Sequence, residues 1–359
     1  MAVQKLSLFT FGDKVGRICA MNRRLFLRST LGFTASAAGL AFAGTAGRSL
    51  ASPAQSHRIL DLELFDVERQ RPVPARLYLP GRASPSEPAP LVVFSHGLGG
   101  SRRGYGYLGS HWADAGIASL HPQHVGSDNT LWRGNPLEMV QRLQSAAREA
   151  EAQARVLDLR FALDQILKSD QARLIDPSKI AVAGHSYGAN TAMLISGAQV
   201  ATADGNLVDL RDRRVQAAIL ISAPPFVGQG PIEQVLEAVR VPTLHVTSLG
   251  DSINLPGYRS SVEDRITIFN AMNQSTKTLA VFNTGGHSIF TDRITRSGPE
   301  LSARIKEAVR ELCTLFLQRS LVQRIPMTIE DTRQWRARHE SLLDRLVMPQ
   351  MGRLMNSSR

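Results

Sequence analysis

The sequence predicts an α/β protein with a mostly parallel central sheet and helices on both of its faces, and three observations carry that prediction. Short apolar runs of strand length alternate along the chain with longer stretches of helical apolar spacing. Residues able to do chemistry fall just after the strand runs, which places them together at the carboxyl edge of such a sheet. Hydrophobic residues make up 43% of the 359-residue chain, ample for a large core, and no internal repeat divides it. One domain over residues 57–325 follows.

Ahead of that domain, residues 1–51 read as a leader. Seven Lys and Arg stand there against the single acid Asp13, so the net charge of +11 falls to +5 without them. The remaining Arg are scattered among Asp and Glu with no basic run, which argues against a nucleic-acid partner. Asn22-Arg23-Arg24-Leu25-Phe26-Leu27-Arg28 precedes a moderately apolar Ala/Gly-rich stretch from 29 to 44, and small residues after it allow cleavage behind Ala43, Ala46 or Ala51. This pattern resembles a twin-arginine signal peptide and implies export of the folded chain by that machinery into a bacterial periplasm or medium. Met21, just before it, is a candidate true start. The stretch is too short and too rich in Gly and Ala to remain as a membrane span.

Within the domain, runs at 60–67 and 73–79 predict an N-terminal antiparallel hairpin. Residues 91–94 predict a buried strand that opens into Ser95-His96-Gly97-Leu98-Gly99-Gly100. A helix over 104–116 and a strand over 118–120 follow. Residues 125–140 show no period and read as a long loop, with a helix over 141–168 behind it. Strands at 180–185, 215–222, 241–247 and 278–282 come next, and a helix over about 300–319 closes the series. After Pro326, residues 326–359 read as a helical extension starting at Thr328, with Trp335, His339, Leu342, Leu343 and Leu346 on one face that packs back onto the domain. Cys313 lies in the apolar stripe of the closing helix and reads as a small buried hydrophobe.

The centre of the chain is Gly184-His185-Ser186-Tyr187-Gly188. A glycine-flanked serine between a buried strand and a helix puts its hydroxyl on a tight, exposed turn, where any Cβ at 184 or 188 would crowd the backbone. Serine is a weak nucleophile until a neighbouring base takes its proton. The order serine, acid after a later strand, histidine in a late loop is met by Ser186, Asp251 and His287. Asp264 sits inside a helical stretch and Asp292 comes after the histidine, so Asp251 is preferred. An acyl-transfer oxyanion needs two backbone N–H donors. Tyr187 is one candidate, and Leu98, with Gly99 as its alternative, is the other. His121 and His124 flank a strand end near the site. No histidine, cysteine or carboxylate group has metal-ligand spacing, and no cofactor is implied.

These motifs, together with His121-Pro-Gln-His-Val-Gly-Ser-Asp128, resemble the α/β-hydrolase superfamily, and within it predicted dienelactone hydrolases, platelet-activating-factor acetylhydrolases and polyester hydrolases, over residues 57–320. The resemblance implies the α/β-hydrolase fold and an oxyanion hole at Leu98 and Tyr187. Dienelactone hydrolases carry cysteine where this chain has Ser186, which argues for ordinary ester hydrolysis. Trp132, His185 and Phe226 are the candidate substrate contacts, and a short- to medium-chain carboxylic ester is the expected substrate. An acetylhydrolase on short-chain phospholipids, a polyester hydrolase and a peptidase remain as alternatives, with a non-catalytic binding protein of the same fold as the rival from another class.

Overall fold

The computed structural model describes residues 56–349, apart from 147, 202–206, 256–257, 274, 294 and 296. Residues 1–51, where a leader with a signal and cleavage sites is expected, and the last residues of the chain lie outside the described residues.

Nine strands form the central sheet: β1 (His57–Leu62), β2 (Ala75–Pro80), β3 (Ala89–Ser95), β4 (Ala118–Pro122), β5 (Ile175–His185), β6 (Val215–Ile221), β7 (Thr243–Gly250), β8 (Lys277–Gly286) and β9 (Leu343–Val347). Their order across the sheet is β1-β2-β4-β3-β5-β6-β7-β8-β9. The pairs from β4 through β8 are parallel, whereas β1 with β2, β2 with β4, and β8 with β9 are antiparallel. The expected hairpin is thus β1–β2, with His57 facing Pro80 and Leu62 facing Ala75.

The interior strands are continuous apolar runs because both faces are covered. On one face, Leu91, Val93, Ile180 and Val182 pack with Val156, Leu159 and Leu163 of α3 (Glu149–Lys168) and Met193 of α4 (Tyr187–Ile195). On the other, Val92, Phe94, Ala181 and Ala183 pack with Leu108 and Trp112 of α1 (Gly106–Asp114) and Ile305, Val309, Leu312 and Phe316 of α7 (Pro299–Leu317). The alternation along β3 and β5 is the two-residue period of a strand splitting its side chains between two layers. Cys313 lies fully buried in α7, as its place in the stripe predicts.

Two stretches differ from the sequence reading. Residues 125–140 are not one loop: a 3-10 turn, Asn129–Trp132, leads into α2 (Pro136–Ala146). Asn135 and Glu138 form a reciprocal cap there, the Glu138 N–H donating to Asn135 Oδ1 at 2.9 Å and Asn135 Nδ2 to Glu138 Oε1 at 2.8 Å. Asn-Pro-Leu-Glu is a legible start signal, with Pro at the first helical position. Beyond 326 the chain is not one helix either. Helix α8 (Arg333–His339) is short, anchored by Trp335 Nε1 donating to the Ala308 carbonyl of α7 at 2.8 Å. A 3-10 turn then feeds β9, which pairs with β8 and satisfies backbone groups that an edge strand would leave open. The extension therefore completes the main sheet.

Candidate active site

Ser186 stands between β5 and α4 with φ 55° and ψ −125°, a left-handed backbone that an L-residue adopts only under constraint. The constraint is visible. The Ser186 N–H donates to the Ile221 carbonyl of β6 at 2.9 Å, and α4 turns back at once over the strand it left. A Cβ on Gly184 would strike the Gly188 carbonyl, and one on Gly188 would strike the Ser95 carbonyl at the end of β3. Gly188→Ala is therefore expected to fall at or beyond the upper end of the usual ~1–3 kcal/mol overpacking cost. Chemical denaturation checks this, and a cost under ~0.5 kcal/mol would contradict it.

The structure brings Ser186, His287 and Asp251 together at the carboxyl ends of β5, β8 and β7. His287 opens the 3-10 turn His287–Phe290, and its Nε2 lies 2.8 Å from Ser186 Oγ. Its Nδ1 lies 2.7 Å from Asp251 Oδ1. A carboxylate only accepts, so Nδ1 carries the proton and Nε2 is left to accept from the serine hydroxyl. Gly250 and Gly286 pair across the ends of β7 and β8, and a Cβ on Gly250 would lie 2.7 Å from the Gly285 carbonyl. That close approach sets the acid and the histidine side by side.

Asp251 is fully buried. Thr247 Oγ1 donates to its Oδ2 at 2.8 Å, and Arg265 Nε of α6 (Val262–Ala271) lies 3.3 Å from the same oxygen. Burial alone would raise the carboxyl's pKa, but the His287 hydrogen bond and charge and the Arg265 guanidinium outweigh it and hold Asp251 far below the usual carboxylate range. Asp264 instead caps α6 by accepting from the Ser261 N–H at 2.8 Å, and Asp292 accepts from the Gly106 N–H at 3.0 Å.

Beside Ser186 lies the loop after β3. Gly97 packs so close that a Cβ on it would be 3.3 Å from Ser186 Cβ. The Gly97 carbonyl accepts from the Gly100 N–H at 3.0 Å and from His96 Nδ1 at 2.8 Å. In a trans peptide the N–H points opposite to the carbonyl, so pinning the Gly97 oxygen directs the Leu98 N–H the other way. The Gly99 N–H donates to the Ser127 carbonyl at 2.9 Å. His96 Nε2 accepts from the His124 N–H at 3.1 Å, so Nδ1 is the protonated nitrogen. The Tyr187 N–H opens α4, where first-turn amides have no partner within the helix.

The three candidate substrate contacts separate. Trp132 is 46% exposed and donates from Nε1 to the Gly99 carbonyl at 3.0 Å, so its ring faces solvent beside the loop. Phe226, ahead of the short α5 (Ile232–Leu236), packs against the α3–α4 core. His185 is buried with both nitrogens engaged, Nε2 donating to the His287 carbonyl at 3.1 Å and Nδ1 accepting from Tyr105 Oη at 2.8 Å. Its ring braces the His287 turn. His121 stacks on Phe94, and His124 lies behind the loop, accepting from Ser95 Oγ at 2.9 Å and donating to Asp158 Oδ2 at 3.1 Å.

Burial pushes His121, His185 and His245 down to about 3 and His124 to about 4, with His96 also well below its ordinary value. The unfolded chain would protonate each near 6.5, so between about pH 6.5 and about 4 it binds protons that the folded chain refuses. Stability is thus fully present above 6.5 and is lost as pH falls toward the folded values. Tm is expected to drop steeply from pH 7 to pH 5, and a flat profile would contradict this.

The fold has a counterpart among solved structures. A ferulic acid esterase from Streptomyces cinnamoneus superposes with a TM-score of 0.55 over 77% of this chain and 93% of its own, at 22% identity. The fold is that of the α/β-hydrolases. A cold-adapted esterase from an Arctic intertidal metagenomic library gives a TM-score of 0.48 over 74% of this chain and 97% of its own, at 18% identity. The family model described as platelet-activating factor acetylhydrolase, isoform II, matches residues 70–131, the part of this α/β-hydrolase fold that includes β2, β3, β4 and the loop beside Ser186. No curated protein sequence matches the chain significantly.

Proposed function

We propose that the chain hydrolyses carboxylic esters through an acyl-enzyme on Ser186. The observation that carries this reading is the unbroken hydrogen-bond chain Ser186–His287–Asp251. Ser186 Oγ attacks the ester carbonyl carbon while His287 Nε2 takes its proton. The imidazolium so formed is held by Asp251, ionised and buried with Arg265 at its back. Negative charge moves to the former carbonyl oxygen, which the Leu98 and Tyr187 amides meet. The tetrahedral species collapses, its C–O bond breaks, and His287 returns the proton to the departing alcohol. Water then attacks the acyl-serine with His287 as base, releasing the acid and restoring Ser186.

A short- to medium-chain acyl ester is the substrate class proposed, with Trp132 at the rim. The family match over residues 70–131 favours a second reading, an acetylhydrolase acting on phospholipids with a short acyl chain. A polyester is the third candidate. Purified protein assayed on p-nitrophenyl esters of increasing acyl length, on a phospholipid with a short sn-2 chain and on a polyester film ranks the three. Turnover is expected to be highest for the shorter p-nitrophenyl esters, and inertness across the whole series would overturn the esterase reading. We also propose export by the twin-arginine route on the leader of residues 1–51. Cell fractionation checks it, and an uncleaved cytoplasmic chain would contradict it.

A further inference from the structure

Arg155 is fully buried, projecting from the middle of α3 into the floor beneath the candidate active site. A buried guanidinium ordinarily sits against a carboxylate, because an unpaired charge in the interior is costly. Among the described residues Arg155 makes no such contact. Its Nε donates to Thr191 Oγ1 at 3.0 Å, its Nη1 to Ser127 Oγ at 2.7 Å, and its Nη2 to Ser95 Oγ at 3.1 Å and to the His96 carbonyl. Its carbon Cζ lies 4.5 Å from the centre of the Tyr187 ring. The carboxylates are one step further off. Ser127 Oγ donates onward to Glu151 Oε1 at 2.7 Å, and Ser95 Oγ donates to His124, whose other nitrogen meets Asp158. Each negative charge is separated from the cation by at least one hydroxyl.

Those contacts converge on both amides proposed to receive the oxyanion. The His96 carbonyl begins the peptide that leads into Gly97 and Leu98. Thr191 accepts from Arg155 and donates to the Tyr187 carbonyl at 3.1 Å, so the guanidinium holds the first turn of α4 as well as the Tyr187 ring. Resting on the Ser186 reading, we infer that Arg155 is a positioning residue that clamps the two halves of the oxyanion hole together and biases the space before them toward negative charge. Contact ion pairing would cancel that bias locally, and the hydroxyl bridges preserve it while neutralising the cation at longer range. The clamp acts on charge that develops during reaction, so it raises kcat rather than substrate affinity.

The test uses the whole chain with a p-nitrophenyl ester and an alkylboronic acid, which adds Ser186 Oγ at boron and becomes a tetrahedral anion. Wild-type turnover, absent in Ser186→Ala, establishes the underlying reading separately. Arg155→Met is expected to lower kcat by about 10- to 100-fold and weaken the boronic acid by a similar factor, with KM within about threefold. Arg155→Lys, which keeps the charge but not the fork, recovers part of both. Thr191→Val leaves the cation in place and cuts its link to the Tyr187 turn, so it serves if Arg155→Met fails to fold. It is expected to lose about threefold or more in kcat and in boronic-acid affinity together. A folded Arg155→Met, or a Thr191→Val, with kcat and boronic-acid affinity within twofold of wild type overturns the inference.

Discussion

Ser186→Ala is expected to lower kcat on a p-nitrophenyl ester by a factor on the order of 10⁴ to 10⁶ while leaving the fold intact. The size follows from what is removed. Without Oγ there is no acyl-enzyme, and His287 has nothing to deprotonate but water held in the wrong place. What survives is binding and the N–H pair, which leave a residual advantage of roughly 10³ over uncatalysed hydrolysis. Stability should move little, and upward if at all, because φ 55° at position 186 costs an alanine no more than a serine. Steady-state kinetics with thermal melts of both proteins make the comparison. Equal activity in wild type and variant would remove Ser186 from the reaction.

Asp251→Asn is expected to cost about 10⁴ in kcat near neutral pH, for a different reason. Asparagine fits the same space, but its amide donates where the carboxylate accepted. Presented to His287 Nδ1, it favours the tautomer with the proton on Nε2, which has no lone pair for the Ser186 hydroxyl. The imidazolium would also lose its counter-charge. Because Arg265 is itself buried and faces Asp251, the variant removes the nearer of its two carboxylates, leaving Asp264 at 3.8 Å, and should lose about 1–3 kcal/mol of stability. Asp251→Glu keeps the charge and should restore stability better than activity, since the longer side chain moves the carboxylate from Nδ1. Kinetics and denaturation on the pair separate the two effects. An Asp251→Asn enzyme within tenfold of wild type would place the acid elsewhere.

Local chemistry made much of the molecule legible from its sequence. Buried strands announced themselves as unbroken aliphatic runs, and the glycines at 184 and 188 marked a turn whose crowding the structure displays. The capping pair Asn135 and Glu138 is equally readable, with Leu137, Val140 and Leu143 at helical spacing in the sequence behind it. The tail's Leu342, Leu343 and Leu346 fit a helical face and a strand edge almost equally. Only the open side of β8 decides between them. Arg155 and Arg265 were hidden more deeply. An arginine among acids on a helix looks like solvated surface, and their burial depends on polar partners contributed by distant segments, Ser95 and Ser127 for one and Asp251 for the other. His185 shows the same limit, since its engagement with Tyr105 and His287 spans 80 and 102 residues of sequence.

The most direct test is to trap the acyl group. Rapid acid quench during turnover of a p-nitrophenyl ester, followed by intact mass and peptide mapping, reads where the carbonyl carbon resides. The account predicts a burst of nitrophenol matched by one acyl group per chain, located on the peptide that carries Ser186 and absent from Ser186→Ala. An acyl group on another residue, or full turnover with a short-lived adduct nowhere on that serine even when deacylation is slowed, would contradict it.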